Sequence, residues 1–108
     1  MAKRKVKAAI KFLERCLKEG GVTPSRIILF GSQAKGKATK ESDIDVVIIS
    51  EDFRNKDILE RAAMTKDAEV RTLKKFMIPL DIVTLTAEEN NTSLITAYAK
   101  DADVVSAK

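Results

Sequence analysis

The stretch "LFGSQAKGKATKESDIDVVII", Leu29 to Ile49, sets a Gly-Ser pair ten residues before two aspartates at the mouth of the most hydrophobic segment of the chain. Side chains alternate along a strand, so Asp43 and Asp45 share one face, with α-carbons about 6.7 Å apart, while Ile44 and Val46 turn into the core. Two carboxylates that close, beside an apolar run, repel each other unless a cation lies between them. Hard oxygen donors of this kind suit Mg²⁺ or Mn²⁺. Asp81, the second residue of the apolar run "LDIVTL", is a third acid in the same setting. If its strand lies beside the one that Asp43 opens, three acids meet on one surface. They could then hold two ions about 3.5 to 4 Å apart, a clamp for in-line phosphoryl or nucleotidyl transfer.

Outward from this stretch the elements follow from period and punctuation. "RIILF", Arg26 to Phe30, follows the turn signal "TPS" and reads as a first strand; "DIDVVIIS", Asp43 to Ser50, reads as a second. Val6, Ile10, Leu13 and Leu17 recur at helical spacing, and Gly20-Gly21 ends that helix. Between Asp52 and Phe76, Ile58, Leu59, Ala62, Ala63, Val70 and Leu73 fall mostly at helical spacing among charges and predict one long helix, continuous or interrupted. Pro79 opens the third strand, "LDIVTL". Thr86 with Glu89 forms a capping box for a last helix, whose start moves to Thr92 if Asn90 and Asn91 interrupt it. Leu94 and Tyr98 in that helix are expected in the core. "ADVVSAK" is either a short edge strand or a frayed tail. The fold class is therefore α/β (α+β), a small mixed sheet with helices packed on it, in a single domain spanning residues 1–108.

Composition removes several chemistries. The 108 residues contain no histidine and one cysteine, Cys16, so His triads, His-metal sites and disulfides are excluded within the chain. No window reaches the roughly 18 apolar residues of a membrane span. The basic N-terminus lacks a signal-peptide apolar region, so a cytoplasmic protein is the simplest reading. The net charge of +4 is dispersed among Lys and Glu, and aromatic residues are 5% with no Trp and no aromatic cluster for base stacking, which speaks against direct nucleic-acid binding.

"GSQAKGKA", Gly31 to Ala38, nearly matches a P-loop, yet Ala38 stands where a hydroxyl should bind Mg²⁺ and no room remains for the helix before Ser42. Gly31 and Ser32 can instead turn sharply off the first strand and face a phosphate with backbone N–H groups and a hydroxyl.

The combined pattern, Gly31-Ser32, ten residues, then Asp43-Ile44-Asp45, with the later Asp81, resembles the minimal nucleotidyltransferases (MNT, MntA-like) of the DNA polymerase β-like superfamily. The resemblance runs from about Lys3 to Lys100 and implies the polymerase β palm-like fold. It implies that Asp43, Asp45 and Asp81 hold two Mg²⁺ (or Mn²⁺) ions, with Asp81 helping to activate the acceptor hydroxyl. It likewise implies that Gly31, Ser32, Lys35 and Ser42 bind the nucleotide. Gln33 and Lys35 stand where many relatives carry arginines, and Lys offers a point charge rather than a bidentate fork. Relatives of this size pair with a helical HEPN protein, so the resemblance implies a hetero-oligomeric toxin-antitoxin pair. In it AMP passes from ATP to a tyrosine of the HEPN toxin. The alternative is a non-catalytic antitoxin or adaptor that neutralises its helical partner by covering it.

Overall fold

The computed structural model describes residues 4–30, 43–92 and 103–107. Helix α1 spans Arg4–Glu19 and buries Val6, Ala9, Ile10, Leu13, Cys16 and Leu17, one stripe at intervals of three and four residues. Its end is fixed by Gly21, whose φ of 92° returns the Val22 N–H to the Leu17 carbonyl at 2.8 Å.

Strands β1 (Arg26–Phe30) and β2 (Ile44–Ile49) are followed by a single 3₁₀ turn, Glu51–Phe53, then helix α2 (Ile58–Phe76), strand β3 (Leu80–Leu85), helix α3 (Ala87–Thr92) and strand β4 (Asp103–Ala107). The four strands form one mixed sheet in the order β3-β2-β1-β4. Strand β1 is antiparallel to β2 and to β4, whereas β2 and β3 run parallel, joined by the α2 crossover. The C-terminal residues left open between strand and tail therefore make an edge strand. Asp43 and Ser50 flank β2 rather than belonging to it. The last helix starts at Ala87, directly after Thr86 of the Thr86–Glu89 capping box, in which Thr86 Oγ1 accepts from the Glu89 N–H at 3.2 Å. Leu94 and Tyr98 lie outside the described residues.

Alternation along the strands gives the sheet two faces. Ile27, Leu29, Ile44, Val46 and Ile48 point to the helices and form the main core with α1, Phe53 and Ala68 of α2. Ile28, Val47 and Ile49 are buried on the opposite face, packed with Phe30, Val83 and Leu85.

Helix α2 is uninterrupted and carries a complete capping box: Asp57 Oδ1 accepts from the Glu60 N–H at 2.8 Å, and Glu60 reaches back to the Asp57 N–H. Its buried residues are Thr65, Ala68 and Thr72, small enough for close packing. Each threonine hydroxyl donates within the helix, Thr72 to the Ala68 carbonyl at 2.7 Å and Thr65 to that of Arg61 at 3.2 Å. These bonds satisfy the groups that would otherwise oppose burial. Much of the apolar pattern that predicts this helix, Ile58, Leu59, Ala62, Ala63 and Leu73, lies on exposed positions. Among the described residues no helix is long and apolar enough to cross a membrane.

Candidate functional site

At one end of the sheet, β1 stops where β2 and β3 begin. The last residue of β1, Phe30, is the Cα partner of Asp45, and Asp45 is the Cα partner of Asp81. Partners in register project to the same side of a sheet, and neighbouring strands lie about 4.8 Å apart. Asp45 and Asp81 therefore stand side by side, and Asp43 lies two residues upstream of Asp45, just ahead of the strand. The ladder is pinned at both ends: the Ile44 N–H donates to the Pro79 carbonyl at 2.9 Å and the Ser50 N–H to the Leu85 carbonyl at 3.0 Å.

The register thus sets Asp45 beside Asp81, with Asp43 two residues upstream, and the three differ in exposure. Asp43 and Asp81 are exposed, whereas Asp45 is half-buried between them. Burial pushes the Asp45 carboxyl above its ordinary range, and the neighbouring Asp81 and Asp43 charges push it further in the same direction. Among the described residues no three carboxylates already converge as a ready-made metal cluster. The donor set nevertheless fits a hard divalent cation: it is all oxygen, two of its members are solvent-accessible, and its mutual repulsion is relieved by positive charge. The chain leaves β1 at this acid row, and the next residues in sequence are Gly31 and Ser32. Gly31, Ser32, Lys35 and Ser42, the predicted nucleotide-binding residues, lie outside the described residues.

A groove of about 560 Å³ runs along β3 beside Asp81, walled by α2 and α3 and lined by Lys56, Ile58, Arg61, Glu69 and Glu89 among others. Sequence reasoning missed its main polar feature. Arg61 pairs bidentately with Glu89, at 2.8 Å and 3.1 Å, and donates to the Lys56 and Thr84 carbonyls at 2.9 Å and 3.1 Å. The capping-box signal singled out Glu89, but the residue 28 positions away that locks it had no local signature. Paired with Arg61 and bonded to the Thr86 N–H, the Glu89 carboxyl is pulled down to about 2.

Comparison with known proteins gives the same picture at the level of fold. Residues 9–104 match the family model of the nucleotidyltransferase domain. No curated protein matches the chain in sequence. A crystal structure of a toxin-antitoxin with AMP-PNP superposes with a TM-score of 0.64 at 16% identity, covering 94% of this chain and 73% of the other. A mutant of the toxin-antitoxin MntA-HpeT gives 0.64 at 17% identity over the same shares. A candidate nucleotidyltransferase from Sulfolobus solfataricus gives 0.55 at 19% identity, covering 96% and 87%.

Proposed function

We propose a function from one premise: the chain belongs to the nucleotidyltransferase domain family. It transfers AMP from ATP to a tyrosine hydroxyl of a helical HEPN protein and acts as the antitoxin of that pair. The observation that carries this is the register of Asp45 with Asp81, with Asp43 two residues upstream, at the sheet end where Gly31-Ser32 follows β1.

Asp43, Asp45 and Asp81 would hold Mg²⁺, which when bound offsets charge on the transferring phosphate and on its leaving group. Asp45, half-buried and squeezed by two like charges, is the acid whose ionised form gains most from that cation. Asp81 is exposed on the edge strand β3, so it is the acid that an acceptor would reach. In the transfer the tyrosine oxygen attacks the α-phosphorus and its proton passes to Asp81. The bond from the α-phosphorus to the bridging oxygen breaks, and pyrophosphate leaves. Gly31 and Ser32 grip the terminal phosphates with backbone N–H groups and a hydroxyl, and Lys35 adds a point charge. The likeness in fold to a toxin-antitoxin with AMP-PNP supports both the nucleotide and the partner.

The test is intact-mass spectrometry of a purified helical HEPN protein after incubation with the chain, ATP and Mg²⁺. AMP-sized additions are expected with the wild type and none with Asp43→Asn/Asp45→Asn. A stable complex without any addition would replace transfer by neutralisation through binding.

A further inference from the structure

The large apolar side chains that are exposed among the described residues sit on one element: Ile58 (80%), Leu59 (77%) and Leu73 (38%) on α2, and Met77 (76%) at its C-cap. Scattered exposed apolar residues are ordinary on a protein surface, but a set confined to one helix is not. The fully buried residues of the helix are small, Thr65, Ala68 and Thr72, with Met64 and Phe76 half-buried against the core, while Leu59 and Met77 stand outward. Met77 adds a separate cost. It occupies the left-handed region at φ 56°, where glycine is the favourable residue, while its side chain stands in solvent.

Leu59, Ala63, Lys66, Val70, Leu73 and Met77 follow one another at intervals of four, three, four, three and four. That is the heptad seam of a helix that pairs with another helix. The pattern fits itself when reversed. In an antiparallel arrangement Leu59 meets Met77 of a second copy, Ala63 meets Leu73, and Lys66 meets Val70, each layer joining the two kinds of seam position. The small residue at Ala63 faces the large one at Leu73. On one flank Glu60 lies opposite Lys74 of the second copy, twice by symmetry, and the central Lys66 comes beside Asp67 and Glu69 of that copy. A single charged residue within an apolar seam fixes register at some cost in affinity.

We propose that α2 is a self-association surface that pairs antiparallel with α2 of a second copy about a two-fold axis near Ala68. The interface is isologous, as a closed two-fold dimer requires. It uses the outer face of α2, while the inner face remains packed on α1 and the sheet, so neither copy has to refold.

Sedimentation velocity of the isolated chain from about 1 to about 300 μM tests this. A reversible monomer–dimer equilibrium is expected, and Leu73→Glu weakens it at least about 10-fold. The circular dichroism spectrum of that variant is unchanged, because Leu73 is exposed. The register has its own readout. The double variant Leu59→Cys/Met77→Cys forms a covalent dimer on mild oxidation, whereas either single variant does not. The two positions are about 27 Å apart along one helix, too far for an intrachain bond, and Cys16 is buried. A chain monomeric throughout the range, a dimer indifferent to Leu73→Glu, or cross-linking of the single variants would overturn the proposal.

Discussion

Asp45 is the Cα partner of Asp81 across the parallel β2–β3 pair, so two carboxylates stand on one face of adjacent strands with Asp43 just upstream. A half-buried carboxylate beside other acids is disfavoured in its ionised form, and a bound cation would offset that. Asp45 shows the conflict directly, since burial, Asp81 and Asp43 all raise its pKa.

The metal-free protein should therefore respond to pH in a defined direction. A carboxyl whose folded-state pKa is raised binds more protons folded than unfolded across the interval above the ordinary value, so stability falls as pH rises through that interval. Asp45→Asn removes this slope and raises Tm at neutral pH. Mg²⁺ raises the wild-type Tm instead. At ten times its dissociation constant the gain is about 1.4 kcal/mol, or roughly 6 °C for a domain of this size, and Asp45→Asn loses most of it. Differential scanning calorimetry with and without Mg²⁺ at pH 5 and pH 7.5 reads both effects.

Glu89 shows the opposite sign. Its carboxyl, lowered to about 2 chiefly by the Arg61 hydrogen bond, contributes stability that is complete above the unfolded pKa near 4.5 and is lost as pH falls from there towards 2. Because Glu89 is 43% exposed, solvent screening keeps this contribution small. Arg61→Met costs more, about 1 to 2 kcal/mol, since the bonds to the Lys56 and Thr84 carbonyls go as well. Urea denaturation at pH 7 and pH 3 should show Glu89→Gln differing from wild type by less at pH 3 than at pH 7.

The sequence shows some of this architecture plainly. Strands β1 and β3 begin and end where branched apolar runs begin and end, and Gly20-Gly21 stops α1 as expected. Asp43, Asp45 and Asp81 are legible as candidate acids, because charge at the start of an apolar strand needs a reason. Their assembly was conditional on β3 lying beside β2, a long-range choice that no local pattern makes. The buried side of α2 was not legible for a different reason. Thr65 and Thr72 read as polar, yet their hydroxyls bond to carbonyls of their own helix and go inside, leaving Leu59 and Leu73 outside. Strand β4 pairs with β1 across more than 70 residues of chain, and its short sequence alone fits a tail equally well.

That account of α2 makes a prediction at Thr72. The hydroxyl serves only to satisfy itself in a buried position, donating to the Ala68 carbonyl at 2.7 Å. Thr72→Val should therefore be neutral or stabilising by up to about 1 kcal/mol in urea denaturation. A loss greater than that would mean the hydroxyl has a further structural role.

At the other end of α2, Met77→Gly should stabilise the monomer by about 1 kcal/mol, because glycine adopts the left-handed C-cap conformation without steric cost. Thermal denaturation at low protein concentration isolates the effect. The same substitution should weaken self-association, so its benefit shrinks as concentration rises.

The most direct test of the central claim needs no partner protein. Isothermal titration of a non-hydrolysable ATP analogue into the chain, with and without Mg²⁺, asks whether the acid row holds a nucleotide through a cation. One site per chain is predicted in Mg²⁺, with binding lost in EDTA and in Asp43→Asn/Asp45→Asn. Equal affinity without Mg²⁺, or undiminished affinity in that variant, would contradict the assignment of Asp43, Asp45 and Asp81.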